Sequence, residues 1–116
     1  HVVDADGAAN QIEGGALQAA SWVLCEAAQL SSQGIASNNW DNYPILKFSD
    51  MPAVEVALMS QPYEPSLGAG ECSSGPTCAA IANAIFDAIG VRMRAMPFTP
   101  DNLLKTIEAD HTSAHS

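Results

Sequence analysis

Apolar residues recur at the helical period along the first part of the chain. Ile12, Ala16, Ala19, Ala20, Val23, Ala27 and Leu30 fall on one face, which predicts a helix from about Asn10 to about Leu30. Gly14 and Gly15 stand inside its first turn, where each glycine costs about 1 kcal/mol relative to alanine. Close approach of a ligand or of another backbone is expected to offset that cost. A second helical pattern, with Ile81, Ile85 and Ile89 at fourfold spacing, predicts a helix from about Pro76 to Ile89, closed by Gly90 as C-terminal cap. Thr99-Pro100-Asp101-Asn102 reads as an N-cap followed by a proline at the first helical position, opening a short third helix that ends near Glu108.

Between the helices the period changes to two. Val54, Val56 and Leu58 alternate with Glu55, Ala57 and Met59, the pattern of a half-buried strand in which Glu55 faces water. Val2-Val3 and Val91-Arg92-Met93-Arg94 read as further short strands, with a turn at Gly7. Ser31-Ser32-Gln33-Gly34 has turn chemistry and predicts a hairpin or loop. The fold class expected is α+β: two main helices and a short C-terminal one against a small mixed sheet of the Val2, Val54 and Val91 strands. Trp40 and Tyr43 either pack as anchors with a polar atom satisfied at the rim or line a substrate channel.

The stretch that speaks most directly of chemistry is Gly68-Ala69-Gly70-Glu71-Cys72-Ser73-Ser74-Gly75-Pro76. Glycines leave the backbone open to a bulky ligand. A helix starting near Pro76 aims unpaired N–H groups and a positive dipole end at the same place, and Glu71 sets one carboxylate beside it. An ordinary strand-to-helix turn has the same composition, so the turn alone leaves both readings open.

Four motifs resolve the choice by their order. Asn10-Gln11-Ile12-Glu13-Gly14-Gly15, Asn39-Trp40-Asp41-Asn42-Tyr43-Pro44-Ile45-Leu46, Gly68-Ala69-Gly70-Glu71 and the segment Ala79 to Gly90 follow one another as they do at the end of the large subunit of molybdenum hydroxylases. From about Val2 to Leu104 the chain resembles the C-terminal part of the molybdopterin-binding subunit of the xanthine dehydrogenase and aldehyde oxidase family, in its bacterial isoquinoline or aldehyde oxidoreductase type. The resemblance implies that residues 1–108 are the C-terminal portion of a domain binding molybdenum-molybdopterin, in some members as a cytosine dinucleotide, with 109–116 a disordered tail. It implies a general-base role for Glu71 in oxidising an aldehyde or N-heterocycle with water as oxygen source. It also implies cofactor contacts for Gln11, Gly68, Ala69 and Gly70, with no protein ligand to the metal. Partners implied are the remainder of the large subunit and an iron–sulfur subunit or domain, the clusters lying on those partners alone. Two departures stand out: Cys72 sits where the family more often carries Pro or Ser, and the connection from Asp4 to the first helix is short.

Composition bounds these expectations. At 116 residues the chain is at most one domain, too small to enclose a large organometallic cofactor alone. A net charge of −9, with Lys47, Arg92, Arg94 and Lys105 the whole basic complement, excludes a nucleic-acid or anionic-membrane surface. No apolar run reaches membrane-span length, and no secretory signal is visible. His1-Val2-Val3-Asp4 reads as the middle of a strand, so a fragment or separately encoded piece is expected, cytoplasmic or carried to the periplasm in an exported complex. Cys25, Cys72 and Cys78 lack metal-site spacing and read as reduced thiols, Cys25 and Cys78 as small buried residues. His111 and His115 have a helical metal spacing but no third ligand, and Ser73 and Ser74 lack the histidine and acid of a hydrolase. Two functions from different classes follow: a part of a molybdenum hydroxylase, or a cofactor-free interaction or assembly module, homodimeric and without activity of its own.

Overall fold

The computed structural model describes residues 1–113, and His115 lies outside them. Three helices dominate: α1 (Ala5–Leu24), α2 (Ser74–Ile89) and α3 (Pro100–Ser113). A two-stranded antiparallel hairpin, β1 (Leu30–Ser31) with β2 (Gly34–Ile35), pairs Leu30 with Ile35 and Ser31 with Gly34. The class is α+β as expected, with the hairpin at the turn the sequence marked.

α1 starts and stops earlier than its apolar period suggests. Asp4 caps it, its carboxylate accepting from Gly7 N at 3.0 Å, so Gly7 lies inside the first turn and does not form a separate one. At the other end Cys25 N closes on Ser21 O, and Glu26 N reaches the same carbonyl. Ala27 and Leu30 therefore leave the helix face they matched in the sequence. α2 begins at Ser74, ahead of Pro76, and ends where expected: Gly90 takes the left-handed conformation at φ 73° and its N–H returns to Phe86 O at 2.7 Å. α3 opens with Asn102 N bonded to Thr99 Oγ1 at 3.3 Å and continues past Glu108 to Ser113.

α1 and α2 pack together, and the core lies at one end of the pair. Val23, Met93 and Phe98 are buried there, with Leu24, Cys78, Ile81, Ala82, Ile85 and Leu103 against them. Phe98 N donates to Val23 O at 2.6 Å, fixing the segment between α2 and α3 across the end of α1. Met93 thus serves the core as a packing residue and its neighbour Arg92 lies over the Phe86 ring at 3.9 Å, so 91–94 forms no strand.

The sheet differs from the expected mixed one. Residues 1–3 run beside a loop, the N-terminal ammonium donating to Gln61 O at 3.5 Å and Ser66 Oγ donating to His1 O at 3.4 Å. Residues 51–60 carry no helix, turn or bend, and they keep the alternation the sequence shows: Val54, Val56 and Leu58 half-buried, Glu55, Ala57 and Met59 exposed. Pairing is what they lack. Among the described residues no other strand lies alongside, so the sequence pattern of a strand is present without a ladder.

Candidate functional site

The Gly68–Glu71 turn lies against the first turns of α1, and the contact is made through absent side chains. Gly15 is buried, and a β-carbon placed on it would come within 2.5 Å of Ser73 Oγ and 3.7 Å of Gly70 O. This close approach accounts for one of the two adjacent glycines, Gly14 and Gly15, within α1. Ser73 Oγ donates to Ile12 O at 2.9 Å, so the hydroxyl just ahead of α2 is spent on α1 and not on capping its own helix. The turn is closed by its own backbone, Ser74 N bonding Glu71 O at 3.2 Å and Thr77 N bonding Ser73 O at 3.0 Å.

Gln11 is brought to this turn from far away in sequence. Its Nε2 lies 3.7 Å from the position a β-carbon on Gly70 would occupy. Gln11 therefore lies against the strip of backbone that leads into Glu71, the other polar residue singled out in the sequence. Gln11, Gly68, Gly70 and Glu71 are exposed and Ala69 is half-buried. Added β-carbons on Gly14 and Gly68 would meet nothing within 4 Å. The result is an open face: an amide able to donate and accept, a carboxylate, and a glycine backbone with no side chain to hold a flat ligand away. Cys72 is exposed beside it, its Sγ 3.5 Å from Ala69 O.

A second polar group anchors the segment after the hairpin. Ser21, buried on α1, donates through Oγ to Glu26 Oε1 and accepts from Leu46 N at 2.9 Å, while Tyr43 OH donates to Glu26 Oε2 at 2.9 Å. The bond to Glu26, then desolvation and the carboxylate's charge, push the Tyr43 hydroxyl above the ordinary tyrosine range. Burial, followed by the charges of Glu26 and Asp50, pushes the Cys25 thiol up as well. Tyr43 is thus the packing anchor foreseen for one of the two aromatics. Trp40 is not, being 80% exposed. Both line a shallow hollow with Asn38 and Asn39 that includes neither Gln11 nor Glu71.

Sequence reasoning missed Ser73 as a structural clamp, having weighed its hydroxyl as a nucleophile alone. The signal was present as a glycine at an α1 interior position that required a close neighbour. Among the described residues no group of histidine, cysteine and acidic side chains has the arrangement to hold a metal ion, and no helix is long and apolar enough to cross a membrane.

No protein-family model matches the chain. It is 42% identical over 102 residues to a nicotinate dehydrogenase subunit of Pseudomonas putida, covering 88% of this chain and 9% of that protein. It is 33% identical over 112 residues to a probable xanthine dehydrogenase subunit of Bacillus subtilis, covering 92% of this chain and 15% of the relative. Quinoline 2-oxidoreductase from Pseudomonas putida 86 shares the fold, with a TM-score of 0.72 at 24% identity over 85% of this chain and 14% of the matched one. The chain belongs to the xanthine dehydrogenase and aldehyde oxidase family of molybdenum hydroxylases and corresponds to a part of its large, molybdenum-binding subunit. It spans about a tenth to a seventh of the length of these relatives.

Proposed function

We propose that this chain supplies one wall of the molybdenum-cofactor pocket of a hydroxylase, with Glu71 as the general base. The observation that carries the reading is the approach of Gln11 to Gly70, the residue just before the exposed Glu71, on an open glycine turn. The residues fit the group. A cradle that β-carbons would fill is left empty at Gly70, and beside it stands an amide able to bond a pterin edge in either sense. Gln11, Gly68, Ala69 and Gly70 would hold the cofactor through side-chain and backbone contacts.

When bound, the cofactor supplies a Lewis-acidic centre and an acceptor for the substrate's electron pair. The chain's own part is proton chemistry. A carboxylate oxygen of Glu71 takes a proton as water-derived oxygen bonds to an electrophilic carbon of an aldehyde or N-heterocycle. A positioned carboxylate contributes about a hundredfold to ten-thousandfold in such a role. Nicotinate and quinoline, which name a relative and a structural neighbour, are N-heterocyclic compounds and support that substrate class.

A face this open on the chain implies that other polypeptide closes it. In this reading the remainder of the large subunit encloses the pocket, and an iron–sulfur subunit or domain carries electrons away. The pterin is then a molybdopterin, in its dinucleotide form where the remainder provides for it, and the complex works in the cytoplasm or, if exported, in the periplasm.

The test is Glu71→Gln in the assembled enzyme. Molybdenum content, measured by elemental analysis, should stay near that of the unaltered enzyme while turnover falls at least about a hundredfold. Turnover within a few fold of the original would remove Glu71 from the mechanism. A cofactor-free interaction module, the other function the sequence allowed, is supported only if the purified native assembly contains no molybdenum.

A further inference from the structure

We propose that Ser73 is a positioning residue for the reaction assigned above: its hydroxyl, bonded to Ile12 O, fixes the backbone that carries Glu71 on the turn of α1 that carries Gln11. The inference rests on the functional reading and adds to it the residue that keeps the base and the cofactor contacts in register.

The need for such a residue follows from how little else holds Glu71. Its side chain is exposed, and among the described residues its carboxylate makes no hydrogen bond or ion pair. Its place is therefore inherited from the backbone, and that backbone leaves a turn with glycine at 68 and 70, which restrains itself poorly. The bonds that close the turn, Ser74 N to Glu71 O at 3.2 Å and Thr77 N to Ser73 O at 3.0 Å, are local to it and to the start of α2. They fix its shape and not its place on α1.

One hydrogen bond does that. Among the described residues the only one joining 68–73 to α1 is Ser73 Oγ donating to Ile12 O at 2.9 Å. It starts just beyond Glu71 and Cys72 and ends at the carbonyl of the residue that follows Gln11.

The surroundings are shaped to the bond at the expense of both helices. Gly15 gives the hydroxyl its room, since a β-carbon there would come within 2.5 Å of Ser73 Oγ, and a glycine inside a helix lowers its propensity. Ser73 also makes no capping bond to α2, the ordinary use of a serine ahead of a helix. Magnitudes favour a functional reason. Net, one such bond adds little to the stability of two packed helices, whereas an error of about 1 Å in placing a reacting group costs about a hundredfold in rate.

The test uses the assembled, molybdenum-loaded enzyme with nicotinate, quinoline and benzaldehyde as substrates, and hydrogen exchange at the Thr77 amide before substrate is added. Ser73→Ala should keep its molybdenum, hold KM within about twofold and lose kcat by about ten- to a hundredfold. Exchange at Thr77 should speed up at least about tenfold, because the turn is no longer pinned. Ser73→Thr, which keeps the hydroxyl, should restore both. Ser74→Ala is the control, since among the described residues the Ser74 hydroxyl makes no hydrogen bond, and it should change neither. In a Glu71→Gln background Ser73→Ala should cost no further turnover, because Ser73 acts through Glu71. Unchanged kcat in Ser73→Ala, whatever the exchange does, would overturn the proposal and leave the functional reading standing. The same proportional loss with and without Glu71 would also overturn it, by showing that the hydroxyl does not act through the base. Full turnover by Glu71→Gln alone would sink the functional reading and this inference with it.

Discussion

A β-carbon on Gly15 would lie 2.5 Å from Ser73 Oγ, the same oxygen that donates to Ile12 O at 2.9 Å. The hydroxyl cannot move aside without giving up that bond, and a bond of this kind contributes about 1 kcal/mol net. With Ser73→Ala the obstruction is gone: the two β-carbons would be 3.9 Å apart, an ordinary contact. Gly15→Ala should therefore be better tolerated by about 1–2 kcal/mol in the Ser73→Ala background than in the unaltered protein. A double-mutant cycle by urea unfolding measures this coupling, and additive effects would show that the turn is not clamped on α1 through this pair.

The same pair shows what the sequence could and could not reveal. Two glycines at the start of a helix announced a close neighbour, and the neighbour exists for Gly15; nothing in the helical period said that it is Ser73. Helix bounds were legible at Gly90, which closes α2, and at Thr99, whose hydroxyl opens α3, and shifted at Asp4, whose cap starts α1 ahead of its apolar period. The alternation from Val54 to Met59 was legible as well, because alternate exposure is set by the segment's own residues. Whether a strand results depends on a neighbour's backbone, which local pattern does not encode. Gln11 and Glu71 were singled out through the order of four motifs, and the approach of Gln11 to Gly70 is a consequence of how α1 and α2 pack.

Tyr43 offers a pH-dependent signature of the anchor after the hairpin. Its hydroxyl is held above the ordinary range first by its bond to Glu26. A tyrosine raised in the folded state favours folding while protonated, and its contribution is lost as pH rises from about 10 through the higher folded value. In a Tyr63→Phe background, which leaves Tyr43 as the reporter, the ultraviolet ionisation midpoint should lie above about 10. Adding Glu26→Gln should bring it down. A midpoint indifferent to residue 26 would mean that the Tyr43–Glu26 bond does not persist in solution.

The three thiols should separate kinetically. Cys72 is exposed, whereas Cys25 and Cys78 are half-buried and the Cys25 thiol is pushed up by burial and by Glu26 and Asp50. Because the thiolate is the reacting form, a neutral-pH alkylating reagent should modify Cys72 first and Cys25 severalfold more slowly. Mass spectrometry of a time course reads the order directly. In the assembled, molybdenum-loaded enzyme Cys72 should be shielded, since it borders the face where Glu71 is proposed to work.

Gly14 separates what the chain needs for folding from what it needs for function. Unlike Gly15 it is exposed, and a β-carbon there would meet nothing within 4 Å. In a helix interior such a position should accept alanine with a gain of about 0.5–1 kcal/mol, through helix propensity and a less disordered unfolded chain. Among the described residues nothing accounts for glycine at 14, and in the proposed reading a cofactor or a facing backbone lying flat on the start of α1 would. Gly14→Ala is expected to raise the resistance of this part to urea and at the same time to lower molybdenum occupancy of the assembled enzyme. The two readouts move in opposite directions only if the open glycine face is a contact surface. Unchanged molybdenum content with raised stability would place the cofactor away from Gly14 and restrict its contacts to the Gln11 and Gly70 side of the turn.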